Sequence, residues 1–230
     1  TFLPTADAGL MWCLSRWTDG ALFDLAVKIV LGSAGDNLPS DFAEDRGRLY
    51  LGENWADGLK TANAQLPHLV AQLRAPLSWL DGMLRDGRAF LLGDKPGAID
   101  AQMYHVVWFV RGRWDGGDVM LSEFPDLVRW ETNVRMIGHG EPSEMRPEDA
   151  LARAKDNEPT TEPSVAPHDP QGLTVGMSVT VHPDVDGGEQ PVHGTVVFAD
   201  AEEIAVERDT ADFGKLCVHF PRTGYRIDVG

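Results

Sequence analysis

The chain has 230 residues, 43% hydrophobic and 24% charged, enough for one large domain or two modest ones. Acidic residues number 36 against 20 basic, a net charge of −16 that argues against a nucleic-acid partner, whose phosphates call for clustered Lys and Arg, and against docking on anionic lipid. Cys13 and Cys217 stand far apart in no metal or redox motif, and neither a signal peptide nor an apolar run of about 20 residues is present, which together point to the reducing cytoplasm and to no membrane span.

Residues 8–32 read as one long helix or two short ones interrupted near Gly20. Over residues 59–85, Leu66, Leu69, Val70, Leu73, Leu77, Leu80 and Leu84 recur at spacings of three and four, a single apolar stripe. Pro67 falls within it as a break or kink, Pro76 removes a backbone bond and bends the helix, and Gly87 stops it. The turn GDKPG then leads into residues 98–111. There Ile99, Met103, Val106, Val107, Trp108, Phe109 and Val110 leave almost no polar face, the pattern of a helix buried on all sides. A buried helix start needs partners for its free N–H groups. Gly97 stands at the N-cap and Asp100 three residues on, where a carboxylate meets those donors and the positive helix end, so both are expected to act as a structural cap.

Residues 124–138 place Pro125 near a helix start, with Leu127, Trp130, Val134 and Ile137 on one face; residues 146–157 form a further short helix. The expectation is an all-α bundle of five or six helices over residues 1–155. A linker over 156–172 follows, carrying Pro159, Pro163, Pro167 and Pro170. From residue 173 the periodicity becomes two. Strands are predicted at 178–182, 192–198, 204–207, 215–220 and 225–228, separated by turns rich in Gly, Asp and Pro. Five short strands in residues 173–230 suggest a small SH3-like barrel, an OB-like barrel being the near alternative, and the fold class is multi-domain, α then β. Ten acids against four bases in this segment make it a poor phosphate binder. His182, His193 and His219 lie on its strands beside Asp184 and Asp186, without metal-ligand spacing, so no metal is expected. The turn PDVDGGEQP lacks the length and terminal Glu of a calcium loop, and Ser15 and Ser33 sit in no nucleophile motif.

FLLGDKPGAIDAQMYH resembles the motif that precedes the central helix in the C-terminal domain of glutathione S-transferases. SEFPDLVRWETNVRM resembles the following helix of that family. Over about residues 5–155 the chain is similar to that all-α domain, with Gly97 where the family usually has Ser or Thr, a departure worth a few tenths of a kcal/mol. The resemblance implies a transferase using glutathione as co-substrate, a small hydrophobic electrophile as its second substrate, and a homodimer. In that family an N-terminal thioredoxin-like domain binds glutathione and activates its thiol; TFLPTADAGL resembles the linker that follows it, so this chain is expected to supply the electrophile pocket and no thiol-activating pair. By resemblance the pocket is lined from the first long helix and the central one: Trp12, Arg16, Phe23, His105 and Trp108, besides Trp17 and Tyr104. If the first helix is continuous, Trp12, Arg16 and Phe23 share a face, the aromatics for a planar apolar ligand and Arg16 for an anionic group. The alternative is a non-catalytic interaction or scaffold module built on the same helical domain.

Overall fold

The structure, a computed structural model, describes residues 8–184 and 189–230, with the side chain of Asp36 left out; Thr1–Asp7 and Asp186 lie outside the described residues. Two compact units divide between Glu141 and Pro142.

The first unit is helical. Helix α1 (Ala8–Trp17) runs into a π-type turn (Thr18–Leu22) and then α2 (Phe23–Ala34). Gly20 breaks the helix with φ −100° and ψ −107°, and the buried Thr18 hydroxyl donates to the Leu14 carbonyl at 2.8 Å, satisfying one acceptor beside the kink. The first helix is therefore not continuous, and Phe23 falls out of phase with Trp12 and Arg16. Helices α3 (Ser40–Leu51) and α4 (Trp55–Ala64) form a hairpin beside α2. Its contacts are made by small residues. A Cβ on Gly32 would stand 2.8 Å from the Ala62 carbonyl carbon, and one on Gly47 2.9 Å from the Trp55 ring, so both glycines allow backbones to approach where a side chain would collide. Helix α5 (Leu66–Leu84) starts afresh after Gln65, with Pro67 in its first turn, where no intrahelical N–H is lost. It continues through Pro76.

Helix α6 (Ala98–Arg113) packs against α1, the π-type turn, α2, α7 (Gly117–Leu121) and α8 (Pro125–Ile137). Ile99, Met103, Val106, Val107 and Val110 are buried among Leu73, Leu77, Leu84, Leu127 and Trp130, each worth about 1.5–3 kcal/mol of transfer from water. The expectation of burial on all sides is corrected here. His105 is exposed and Trp108 is 47% exposed, because α6 has neighbours on most of its circumference but not along the strip that carries these two residues.

The second unit holds α9 (Pro147–Lys155), which touches β5, and an antiparallel sheet. Strands β2 (Ser178–Pro183), β3 (Val192–Ala199), β4 (Glu203–Thr210), β5 (Gly214–Pro221) and β6 (Tyr225–Val229) pair in the order β5-β4-β3-β2-β6. A short β1 (Ser164–Val165) adds in parallel to the end of β3 that β2 leaves free, opposite a bulge between Val196 and Phe198. Val179, Val181, Val196, Ile204, Val206, Phe220 and Ile227 point to one core at the period of two. Among the described residues no pairing joins β5 to β6, so the ladder is an open path where a closed barrel was expected. Within the proline-rich stretch, Asp169 accepts from Arg222 Nη2 at 2.8 Å and from the Gln171 amide at 2.9 Å, tying that segment to the strands.

Candidate functional site

The inner ends of α6 and α8 are organised by two buried carboxylates. Asp100, 1% exposed, accepts three hydrogen bonds of 2.8 Å: from the Leu91 and Gly97 amides and from the Trp130 indole. Asp81 of α5 accepts from the Asp126 and Leu127 amides at 2.8 and 3.1 Å, capping α8 from a neighbouring helix. Arg129 donates to the Leu84 and Arg88 carbonyls, and Asn133 to that of Ala89. These groups are fully engaged with the protein's own backbone and hold the bundle's geometry. Their work is positioning, and it fixes the line of α6.

At the other end of α6 lies a cavity of about 460 Å³ between α2, α3 and the last turns of α6. Its walls are Phe23, Val27, Val30, Leu31 and Ala34 from α2, Leu38 from the connecting turn, Phe42, Arg46 and Tyr50 from α3, and Phe109 and Arg113 from α6. Phe23 anchors the aromatic side. Its ring centroid lies 4.7 Å from His105, 5.4 Å from Phe109 and 6.4 Å from Tyr50, the last edge-on. The Arg46 guanidinium lies over the Phe42 ring at 5.9 Å and its Nε reaches Asp45 at 3.2 Å. The Arg113 guanidinium lies 5.9 Å from the Trp108 ring. Arg111, two residues earlier, is spent elsewhere: it pairs with Glu131 and Asp118, and the hydrogen bonds it donates to Glu131 above all hold its pKa above the ordinary arginine value. A cavity of this size, mostly apolar with a few polar tips, is the form of a small-molecule site. A second, more polar cavity of about 800 Å³ lies beyond Ala34 and Leu38, lined by Ser33, Asn37, Trp55, Lys60 and Asn63 among others.

Of the residues singled out from sequence, Phe23 lines this cavity; His105 and Trp108 are not among its walls, the His105 ring lying 4.7 Å from that of Phe23 at a tilt of 33° and the Trp108 ring 6.3 Å from His105. Trp12 (54% exposed) and Arg16 lie on the exposed side of α1 and do not line it. Sequence reasoning missed Phe42, Arg46 and Tyr50, whose spacing of four marks one face of α3, and Arg113. On the sheet, His182 meets Asp228 at 2.7 Å and Arg226 at 3.2 Å, His193 meets Thr180 at 2.7 Å, and His219 meets Thr161 at 3.0 Å. The three histidines thus have separate partners, and no metal-holding group of His, Cys, Asp or Glu occurs among the described residues. Hydrogen bonding to His182 lowers the Asp228 pKa.

Residues 63–132, from the end of α4 into α8, match the family model described as "Glutathione S-transferase, C-terminal domain". No curated protein matches the chain. A GST-like protein from Pseudomonas syringae has a similar solved structure, with a TM-score of 0.70 and 24% identity over all of this chain and 71% of that one. The helical unit is glutathione S-transferase-like in fold. No helix among the described residues is long and apolar enough to cross a membrane.

Proposed function

We propose that this chain carries the electrophile-binding half of a glutathione transferase-like protein. The observation that carries the reading is the apolar cavity walled by Phe23, Val30 and Phe109 in a helical unit of transferase-like fold. In this reading a small hydrophobic electrophile lies against Phe23. Phe109 and Val30 exclude water from it, and His105 and Trp108 cover the aromatic side. The Asp100 and Asp81 caps keep α6 and α8 in line so that the cavity keeps its shape. Glutathione is the co-substrate, and activation of its thiol would fall to a thioredoxin-like domain if the full-length protein has one. The protein would act as a cytoplasmic homodimer. The sheet unit fits an SH3-like module, supported by the first long strand, β2, lying between β3 and the last strand.

The test is conjugation of glutathione to a panel of aromatic electrophiles by the intact gene product, with Phe23→Ala as the variant. Conjugation whose KM for the electrophile rises in Phe23→Ala supports the reading; no conjugation together with no glutathione affinity removes it. One observation favours the scaffold alternative: Trp79 on α5 is 67% exposed and Trp12 on α1 is also exposed, the kind of aromatic surface that protein partners cover.

A further inference from the structure

The second cavity differs in chemistry from the first. It holds about 800 Å³ between the end of α2, the turn after it and the α3–α4 hairpin, and shares only Ala34 and Leu38 with the apolar one. Its polar groups are the side chains of Ser33, Asn37, Lys60 and Asn63 and the indole N–H of Trp55. Lys60 is the one charged wall among the described residues, and its ammonium pairs with Asp57 at 3.1 Å. The lining is thus polar but offers no unpaired charge.

Hydrogen bonds within the helices orient these groups. Asn63 Nδ2 donates to the Gly32 carbonyl at 2.7 Å, which fixes the amide and leaves Oδ1 as an acceptor. Ser33 Oγ gives its proton to the Val30 carbonyl at 3.0 Å and keeps only lone pairs to offer. The Trp55 N–H and the Asn37 amide meet no partner among the described residues. Trp55 is half-buried and held from behind by α3: a Cβ on Gly47 would stand 2.9 Å from its Cε3, so the indole rests on bare backbone there while it lines the cavity.

These groups select by what they lack. A carboxylate or phosphate brings acceptors alone and would face the lone pairs of Ser33 and Asn63, and the overall charge of −16 adds to the repulsion. An ammonium would meet Lys60 in the same wall. A wholly apolar body would strand the polar groups. A hydroxyl both donates and accepts, so it satisfies oxygen acceptors, an amide and an N–H at once; a sugar adds an apolar C–H face for the indole. We propose that this cavity binds a neutral sugar, one ring stacked on Trp55 and its hydroxyls on Ser33, Asn37 and Asn63. The proposal does not depend on the electrophile reading of the first cavity.

The test is saturation-transfer NMR on the full chain with glucose, galactose, mannose, maltose and cellobiose, each up to about 10 mM, and with glucuronate and uridine as controls. At least one neutral sugar is expected to bind, with strongest transfer to the C–H protons of one ring face, and glucuronate is not. Ser33→Ala weakens that sugar roughly three- to tenfold, and Trp55→Phe, which keeps a ring but loses the N–H, roughly threefold. Ala56→Trp, a large side chain on an exposed wall, abolishes binding. Thermal melts of each variant establish that it is folded; should Trp55→Phe unfold the chain, Ser33→Ala and Ala56→Trp still decide. Binding of no sugar overturns the proposal, and so does uridine binding in their place. Sugar binding that Ala56→Trp leaves intact puts the site elsewhere and overturns it as well. None of these results bears on the electrophile cavity, whose test is glutathione conjugation.

Discussion

Replacing Asp100 should unfold the helical unit well before the sheet unit. Asp100 is 1% exposed and accepts from two backbone amides and one indole, each at 2.8 Å. A hydrogen bond to a charged acceptor contributes about 1.5–3 kcal/mol, and a buried donor left unpaired costs about 1–3 kcal/mol. Asp100→Ala orphans all three donors, for an expected loss of about 5 kcal/mol, which is a large part of a typical domain's 5–15 kcal/mol. In Asp100→Asn the amide oxygen keeps the Leu91 and Trp130 bonds in neutral form, while its NH2 faces the Gly97 N–H. The expected loss is about 3 kcal/mol. All 7 tryptophans lie between Trp12 and Trp130, so intrinsic fluorescence in a urea titration reports the helical unit alone. The expected result is a midpoint lowered in the order parent, Asn, Ala at unchanged slope. Losses below about 1 kcal/mol for both variants would refute the reasoning, since they would mean that water or a rearranged backbone satisfies those donors.

Gly32→Ala should cost about 2 kcal/mol or more in the same titration, because its Cβ meets the Ala62 backbone at 2.8 Å; a neutral effect would mean that α2 and α4 separate freely. Asp169→Ala should destabilise the sheet unit by about 3 kcal/mol, read by far-UV circular dichroism with the tryptophan transition unmoved, because the mostly buried Arg222 loses its counter-charge. The Asp86 carboxyl, hydrogen-bonded by the Arg88 side chain and amide, should titrate at about 2 rather than 3.8 in carbon NMR, and Arg88→Gln should raise it. A depressed carboxylate pKa means that this interaction is complete above about pH 4 and is lost as pH falls through about 2, so acid should weaken it and alkali should not.

Much of the fold is legible where one residue type does one job. The five long strands fall within a residue or three of their sequence positions, because alternation of Val, Ile and Phe with polar residues is the direct imprint of a one-sided sheet. The π-type turn at Gly20 and the restart at Pro67 follow from backbone chemistry in the same way. Helix α3 was not legible. Its buried positions are Ala43 and Gly47, which pack by close approach and leave no apolar stripe among SDFAEDRGRLYL. With α3 unseen, one wall of the candidate site was unseen, since Phe42, Arg46 and Tyr50 face the cavity from it. Trp12 and Phe23 look like one face only on an unbroken helix, and the turn between them removes that phase relation. Trp108 reads as core by composition, yet which side of α6 lacks a neighbour depends on tertiary packing that no local pattern encodes.

The central claim is that the space between α2, α3 and α6 receives a ligand. A crystal structure of the chain soaked with 8-anilinonaphthalene-1-sulfonate tests it most directly. The naphthalene ring is expected between Phe23 and Phe109. A ring seated instead at Trp12 or Trp79, with the cavity unchanged, would contradict it.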